Sequence, residues 1–364
     1  GADPSWRSIR DSLVAGIHAS ATPDRADRLF PGSPGQSGTG GFDLASGSAG
    51  VMFALHRAGA TVPPDYIAWT GRAVERAAPR PAQGLYNGPH GAAAAFEAIG
   101  RRDEALAALE VARRLDGLPT SDTLHAGRAG RALNLLRFAS ITGDDALREE
   151  ALDTAADIGR RLIAGAALLP GHGLLRGPSG PALLFVRAYE ETGEERYLDW
   201  TRHAIEHDLE ACDVLTRRVG HRHPPYLDGG SGGVALVVHE YLRYRDDTDL
   251  WRALAGIRRA CKVPFVYESG LFTGRAGLVA VLARLAHDED RCAIAQHIER
   301  LGWHALLRGD DLVFPGDQLL RLSTDLATGS AGVLLALQAA FEGETAFLPY
   351  LDACRRSGRR QCCF

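Results

Sequence analysis

Tyr86 and Asn87 in LYNGPHG, His125 in LHAGRAG, Arg176 in LLRGPSG, Asp228 in LDGGSGG and Thr273 in LFTGRAG are chemically unlike residues at one place in a recurring pattern, directly ahead of the first glycine of G-x-x-G. His90, Arg128 and Arg275 stand just behind it. Imidazoles titrate near neutrality and move protons, whereas guanidiniums stay charged and hold anions such as an enolate or a carboxylate. Together they point to acid–base chemistry around a transient anion. His90 takes a place where the other copies carry Ala, Ser or Gly, so its ring needs space that its counterparts leave empty. His125 follows Asp122, an aspartate that could orient an imidazole; the alternative is a hydrogen-bonded loop histidine. His172 lies four residues ahead of Arg176 in PGHGLLRG.

The pattern that presents these residues occurs seven times. Its first glycines are Gly47, Gly88, Gly127, Gly177, Gly230, Gly274 and Gly329, and three residues ahead of each stands a leucine, from Leu44 to Leu326. LASGSAGVMFAL (44–55) and LATGSAGVLLAL (326–337) are nearly the same twelve residues. The spacings of 41, 39, 50, 53, 44 and 55 residues leave room for two helices and two connections per unit. One helix follows each GxxG and is apolar on most sides; the other, as in DEALAALEVARRL (103–115), has apolar residues at intervals of three and four and is half-buried. An inner and an outer layer follow. The fold expected is all-α, an α/α toroid of seven helical hairpins and about fourteen helices, with the GxxG loops at one end of the inner ring. Closure explains why the first and last copies are so alike, since an open solenoid would end in polar caps.

Two glycines per turn admit backbone conformations closed to other residues and let neighbouring loops approach closely. Seven helix N-termini converging on the axis would carry unpaired N–H groups and roughly half a positive charge each, favouring a thiolate or an enolate at the mouth. The alternative is that the glycines serve tight packing alone.

A net charge of −4 without a long Lys/Arg run argues against nucleic acid as a partner. No run reaches eighteen apolar residues and the first thirty residues lack a signal-peptide core, which predicts no membrane association and a cytoplasmic protein. Six cysteines at 212, 261, 292, 354, 362 and 363, without C-x-x-C, suit a reducing compartment. Lys262 is the chain's only lysine and the one candidate for Schiff-base chemistry. Met52 is the only methionine and the chain begins Gly-Ala-Asp, as expected of a single domain, 1–364, cut from a longer protein.

With its repeats, the sequence resembles the lanthionine synthetase C-like cyclases. Segments 29–60, 174–200 and 319–337 (LFPGSPGQSGTGGFDLASGSAGVMFALHRAGA, LLRGPSGPALLFVRAYEETGEERYLDW and LLRLSTDLATGSAGVLLAL) resemble more narrowly the C-terminal cyclase domain of class III lanthipeptide synthetases. The resemblance implies addition of a cysteine thiol to dehydroalanine or dehydrobutyrine of a precursor peptide, giving lanthionine, methyllanthionine or labionin. It also implies lyase and kinase-like domains as partners in the same synthetase. Zinc-dependent members carry Cys, then an adjacent Cys-His pair, at the positions of Asp228, Phe272 and Thr273. None of the three is present, so no zinc and no other cofactor are expected; His221 and His223 are read as surface residues rather than ligands. The family's active histidine corresponds to Arg176, and its aspartate four before the third glycine is offset by one residue from Asp122.

Without metal, a base and a positive field must activate the thiol and an acid must protonate the resulting enolate. His90, His125, Asp122, His172 and Arg176 are the catalytic candidates, and Tyr86, Asn87, Arg128, Asp228, Thr273 and Arg275 the substrate-binding ones. Asp43 and Asp325, each four before its glycine, are read as helix caps or braces. Loops 30–41 and 313–325 are read as mobile connections that could border a peptide channel. Two other readings stay open. A glycoside hydrolase would need paired carboxylates, for which Asp43, Asp122, Asp228 and Asp325 are available. A non-catalytic toroid would bind the precursor or dock the other domains.

Overall fold

Apolar runs behind the glycines and amphipathic runs between them become two concentric layers of helices in the computed structural model, which describes residues 4–34, 36, 40–77, 84–115, 121–167, 169–212 and 224–352. The inner helices are Ser48–Arg57, Pro89–Ala98, Arg128–Thr142, Ser179–Thr192, Ser231–Tyr241, Arg275–Leu285 and Ser330–Glu342. The outer ones are Pro4–Ala19, Pro64–Glu75, Arg102–Arg114, Asp145–Ile163, Glu195–Ala211, Thr248–Ala260 and Arg291–Leu301. Ser48 to Leu55 are all buried, whereas Arg102–Arg114 buries only Ala105, Ala108, Leu109 and Ala112, one stripe at helical spacing. Asp144 caps an outer helix by accepting from the Ala146 and Leu147 amides.

Each inner helix packs on the next, and Ser330–Glu342 packs on Ser48–Arg57, so the inner layer is a closed ring. Six inner helices pair with the outer helix that follows them; the seventh pairs with Pro4–Ala19 from the other end of the described chain. Trp6 stacks on Phe341 (5.1 Å, 11°) and its Nε1 donates to Glu342 at 2.8 Å, fixing that last pair.

At one end of the ring the loops are joined by main chain. The residue after each repeat leucine donates its N–H to the carbonyl of its counterpart in the next repeat: Ala45 to Tyr86, Tyr86 to His125, His125 to Leu175, Leu175 to Asp228, Asp228 to Phe272, Phe272 to Ala327, and Ala327 back to Ala45, at 2.9–3.1 Å. Seven bonds close a circle around the axis.

The glycines make this circle possible through space, not through unusual dihedrals. At Gly47, Gly127 and Gly274 φ is −111°, −113° and −140°, which any residue adopts, so that half of the expectation is corrected. A Cβ on Gly47 or Gly127 would lie 2.4 Å from the amide nitrogen of Asp43 or Thr123. The second glycine sits over the preceding repeat's leucine. A Cβ on Gly91 would meet the Leu44 Cβ at 2.8 Å, one on Gly130 the Leu85 Cβ at 2.8 Å, and one on Gly50 the Leu326 Cβ at 2.8 Å, across the closure.

The convergence of bare helix N-termini is also corrected. In five of the seven repeats the segment ahead of the first glycine folds back and lays its carbonyls on the helix start. Ser48 and Ala49 amides donate to Gly41 and Phe42, Arg128 to Ser121, Gly233 to Tyr226, Arg275 and Ala276 to Glu268 and Ser269, and Ala331 to Thr324. Those donors are therefore spent before any ligand arrives.

One element was not foreseen. Strands β1 (Leu306–Arg308), β2 (Asp311–Pro315) and β3 (Leu322–Ser323) form an antiparallel ribbon in the order β1-β2-β3, with Leu306 opposite Val313 and Phe314 opposite Ser323. It carries the long loop of the seventh repeat against the first. The Thr324 amide donates to the Pro31 carbonyl (2.8 Å), Arg321 Nη2 to that of Gly32 (2.6 Å), and the Ser33 amide to Asp325 (2.8 Å), so the described parts of these loops clasp one another. Asp325 also receives the Thr328 amide (2.7 Å), and Asp43 that of Ser46 (2.7 Å): both brace the turn ahead of their glycine. At the far end, Phe347, Leu348 and Leu351 are buried, and the Leu351 carbonyl accepts from Arg187 and Arg284, which share the buried Glu240.

Space at the glycines can be measured. Gly91→Ala should lower unfolding free energy by about 1–3 kcal/mol or more, because backbone must shift. Gly71→Ala, within an outer helix with nothing inside 4 Å of the added methyl, should raise it by about 0.5–1 kcal/mol in the same chemical-denaturation series.

Candidate functional site

The closed circle sets two storeys of side chains at the axis. The circle residues Ala45, Tyr86, Leu175, Asp228, Phe272 and Ala327 are buried and His125 half-buried; the residues that follow them, Ser46, Asn87, Ala126, Gly229, Thr273 and Thr328, are half-buried, and Arg176 is exposed. The second set forms the floor of the mouth, and the first lies beneath it.

Four sequence candidates come together here. Arg176 Nε donates to Asp228 Oδ2 at 3.1 Å, with the guanidinium side chain 54% exposed and the carboxylate 12%. Burial pushes the Asp228 carboxyl up, and the Arg176 charge and hydrogen bond pull it back. The His125 ring stacks on Tyr86 (5.8 Å, 20°) and is pulled down to about 4, first by burial and then by Arg176, so it is neutral near pH 7. Tyr86 reaches across the circle to Phe272, three hydrogen-bonded steps away, meeting its ring edge-to-face at 5.6 Å. Its phenol is pushed up by burial and by the Asp228 charge. The Tyr86 hydroxyl and Asp228 Oδ1 are buried without a hydrogen-bond partner among the described residues.

Three more candidates border the mouth. Asn87 Oδ1 accepts from the Gly84 amide at 3.1 Å, and the Thr273 hydroxyl donates to Glu268 at 2.7 Å. His172, ahead of the short helix Gly173–Arg176, is half-buried, and its carbonyl would lie 3.7 Å from a Cβ on Gly229.

The remaining candidates lie elsewhere. Asp122 is buried and salt-bridged to Arg128 (2.6 Å), which also holds Asp157 (2.7 Å). Arg275 is buried; its Nη1 bonds His297 Nδ1 at 3.0 Å, and His297 Nε2 bonds the Cys261 carbonyl at 2.8 Å. Both arginines brace outer helices, so Arg176 alone of these three brings its charge to the mouth. His90 is enclosed: its Nδ1 lies 2.9 Å from Asn134 Nδ2, and Asn134 Oδ1 accepts from the Tyr350 hydroxyl. Burial, then Arg131 and Arg113, hold that imidazole down at about 3. Of the carboxylates available to a hydrolase, Asp43 and Asp325 are bound to turn amides and Asp122 to arginine, which leaves Asp228 at the mouth. Lys262 is salt-bridged to Asp290 at 2.6 Å. His221, His223, Cys354, Cys362 and Cys363 lie outside the described residues, and Cys212, Cys261 and Cys292 are free thiols.

The residues do not fit zinc. Phe272 offers no donor and its ring is packed on Tyr86, the Thr273 hydroxyl is given to Glu268, and Asp228 is paired with Arg176. Among the described residues no cluster of three His, Cys, Asp or Glu side chains could hold a metal ion. The sequence reading overlooked Glu268, which joins the Thr273 hydroxyl to the Gln318 amide and so ties the sixth loop to the seventh. It stands six before Gly274 as Ser121 stands six before Gly127, a register that extending the repeat alignment would have exposed.

No protein-family profile matches the chain. Over 375 aligned residues, 97% of the chain, it is 39% identical to the Probable SapB synthase of Streptomyces coelicolor, and it spans 40% of that protein's length. Among solved structures it is similar to nisin cyclase, with a TM-score of 0.59 at 12% identity over 94% of this chain and 95% of that one, a likeness of fold. The resemblance to lanthionine synthetase C-like proteins read from the sequence is found again in both comparisons.

Because folded His90 titrates near 3 and an unfolded histidine near 6.5, the unfolded chain takes up the proton first. Stability from this group is full above pH 6.5 and lost as pH falls toward 3. Denaturation midpoints measured across that window should fall, by up to about 1.4 kcal/mol per pH unit for His90, and His90→Gln should flatten the slope by that amount.

Proposed function

We propose that this chain, a homologue of the Probable SapB synthase with the fold of nisin cyclase, is the cyclase portion of a lanthipeptide synthetase. In this reading it adds cysteine thiols of a dehydrated precursor peptide to dehydroalanine or dehydrobutyrine, without zinc, forming lanthionine, methyllanthionine or labionin. Lyase and kinase-like domains of the same synthetase prepare the substrate, and a cytoplasmic, reducing setting keeps its thiols free. The observation that carries the proposal is the Arg176–Asp228 pair at the mouth of the circle.

A free thiol with a pKa of about 8.5 is only a few per cent ionised at neutral pH. Asp228, whose carboxyl is pushed up by burial, is a better proton acceptor than an exposed aspartate. As it takes the thiol proton, sulfur forms a bond to the β carbon of the dehydro residue, and the π electrons move onto the adjacent carbonyl oxygen. Arg176, its carboxylate partner now neutral, is released to pair with that oxygen, where charge develops in the transition state. His125, neutral and half-buried beside Arg176, serves as a wall of the site rather than an acid.

The test incubates the protein with the enzymatically dehydrated precursor encoded beside its gene and counts free thiols over time by alkylation and mass spectrometry, against a no-protein control. Faster loss than control is expected, unchanged after dialysis against a chelator. A rate that collapses on chelation and returns with zinc would overturn metal independence. Loss at the control rate with peptide still bound would favour the non-catalytic toroid. Arg176→Ala should slow the reaction about a hundredfold with peptide affinity little changed.

A further inference from the structure

Addition to the alkene leaves an enolate, and the carbon that must be protonated becomes a new stereocentre. Resting on the reading above, we propose that the Tyr86 hydroxyl is the acid that delivers this proton, from beneath the mouth, in partnership with Asp228.

Two orphaned atoms carry the inference. The Tyr86 hydroxyl, on a fully buried side chain, and Asp228 Oδ1, on a residue 8% exposed, both lack a hydrogen-bond partner among the described residues. A buried polar atom left unpaired is costly, and here two of them belong to side chains borne by one main-chain circle, where the Asp228 charge is felt at the Tyr86 phenol. Tyr86 is held there from both sides, by the His125 ring at 5.8 Å and the Phe272 ring at 5.6 Å, while its main chain is fixed in the hydrogen-bonded circle. A tyrosine kept only to fill the axis would need no hydroxyl, since phenylalanine presents the same faces to both rings. Burial and the Asp228 charge keep the phenol protonated in the resting protein, which is the state a donor needs.

The protons balance without a further reactant. Asp228 takes the proton of the S–H bond as the C–S bond forms. Tyr86 gives its O–H proton to the α carbon as the enolate π pair becomes the C–H bond. The phenolate then recovers a proton from the Asp228 carboxyl, returning both groups to their starting state. The net change is S–H and C=C converted to C–S and C–H. Neutralising Asp228 in the first step removes the charge that opposed ionisation of Tyr86, so each step prepares the next. Because the donor lies on the inner side of the bound peptide, protonation reaches one face of the enolate.

Tyr86→Phe separates this role from a structural one. Removing an unpaired buried hydroxyl while keeping the ring should leave the thermal midpoint unchanged or slightly raised. In the thiol-loss assay with the dehydrated precursor, the variant should react about a hundredfold more slowly than wild type at saturating peptide. The product, hydrolysed and resolved on a chiral column, should change from one α-carbon configuration to a mixture. Wild-type rate and a single configuration in Tyr86→Phe would overturn the proposal while leaving the cyclase reading intact. A wild-type protein no faster than the no-protein control would remove that reading and this inference with it.

Discussion

Seven main-chain amides that each donate to the next repeat, the last to the first, set the terms for everything built around them. A circle of hydrogen bonds at 2.9–3.1 Å requires seven loops to approach to main-chain contact at once. That requirement excludes a Cβ at the first glycine, where it would enter the preceding turn, and at the second, where it would enter the neighbouring repeat's leucine. The L-x-x-G-x-x-G register is therefore a steric statement about neighbours, and the inner helices follow from it because each begins where its glycine ends.

The circle also determines what kind of chemistry the axis can host. Its polar main-chain groups are consumed in its own bonds, and at five of the inner helices carbonyls folded back from the preceding segment occupy first-turn amides. Positive charge at the axis is thereby left to side chains rather than to the backbone. Of the arginines beside the glycines, Arg128 and Arg275 are drawn outward to Asp122, Asp157 and His297, leaving Arg176 to meet Asp228 at the mouth. A cation and a carboxylate thus meet beside the packed rings of His125, Tyr86 and Phe272.

The repeats, the two layers, the closure and the end-to-end likeness of 44–55 and 326–337 were legible because they are periodic, and periodicity survives without coordinates. The site was legible in part. Position relative to the first glycine singled out Tyr86, His125, Arg176, Asp228, Asn87 and Thr273 as candidates without telling which face the axis, and all six lie at the circle or its floor. One or two residues past the glycine the same logic failed, since His90, Arg128 and Arg275 are on the inner helices' first turn and point away into the wall. Their partners Asn134, Asp157 and His297 are 44, 29 and 22 residues distant, beyond any local pattern. The ribbon of 306–323 was hidden for another reason: short strands held by the loop of the first repeat carry no periodic signature of their own.

Because the circle is made of main chain alone, it is indifferent to which side chain each of its seven stations bears. Alanine, tyrosine, histidine, leucine, aspartate, phenylalanine and alanine occupy them in turn with the same bond. An open solenoid adapts by gaining or losing units at its ends; a shut ring has no end to extend, and an eighth unit could enter, or one of the seven leave, only by breaking the circle. Change is thus channelled into single substitutions at fixed stations, each of which can be exchanged without refolding the rest. An alanine at one station and an aspartate at another are then alternative settings of the same scaffold, and a change of chemistry at the axis can be a matter of single residues rather than of a new architecture.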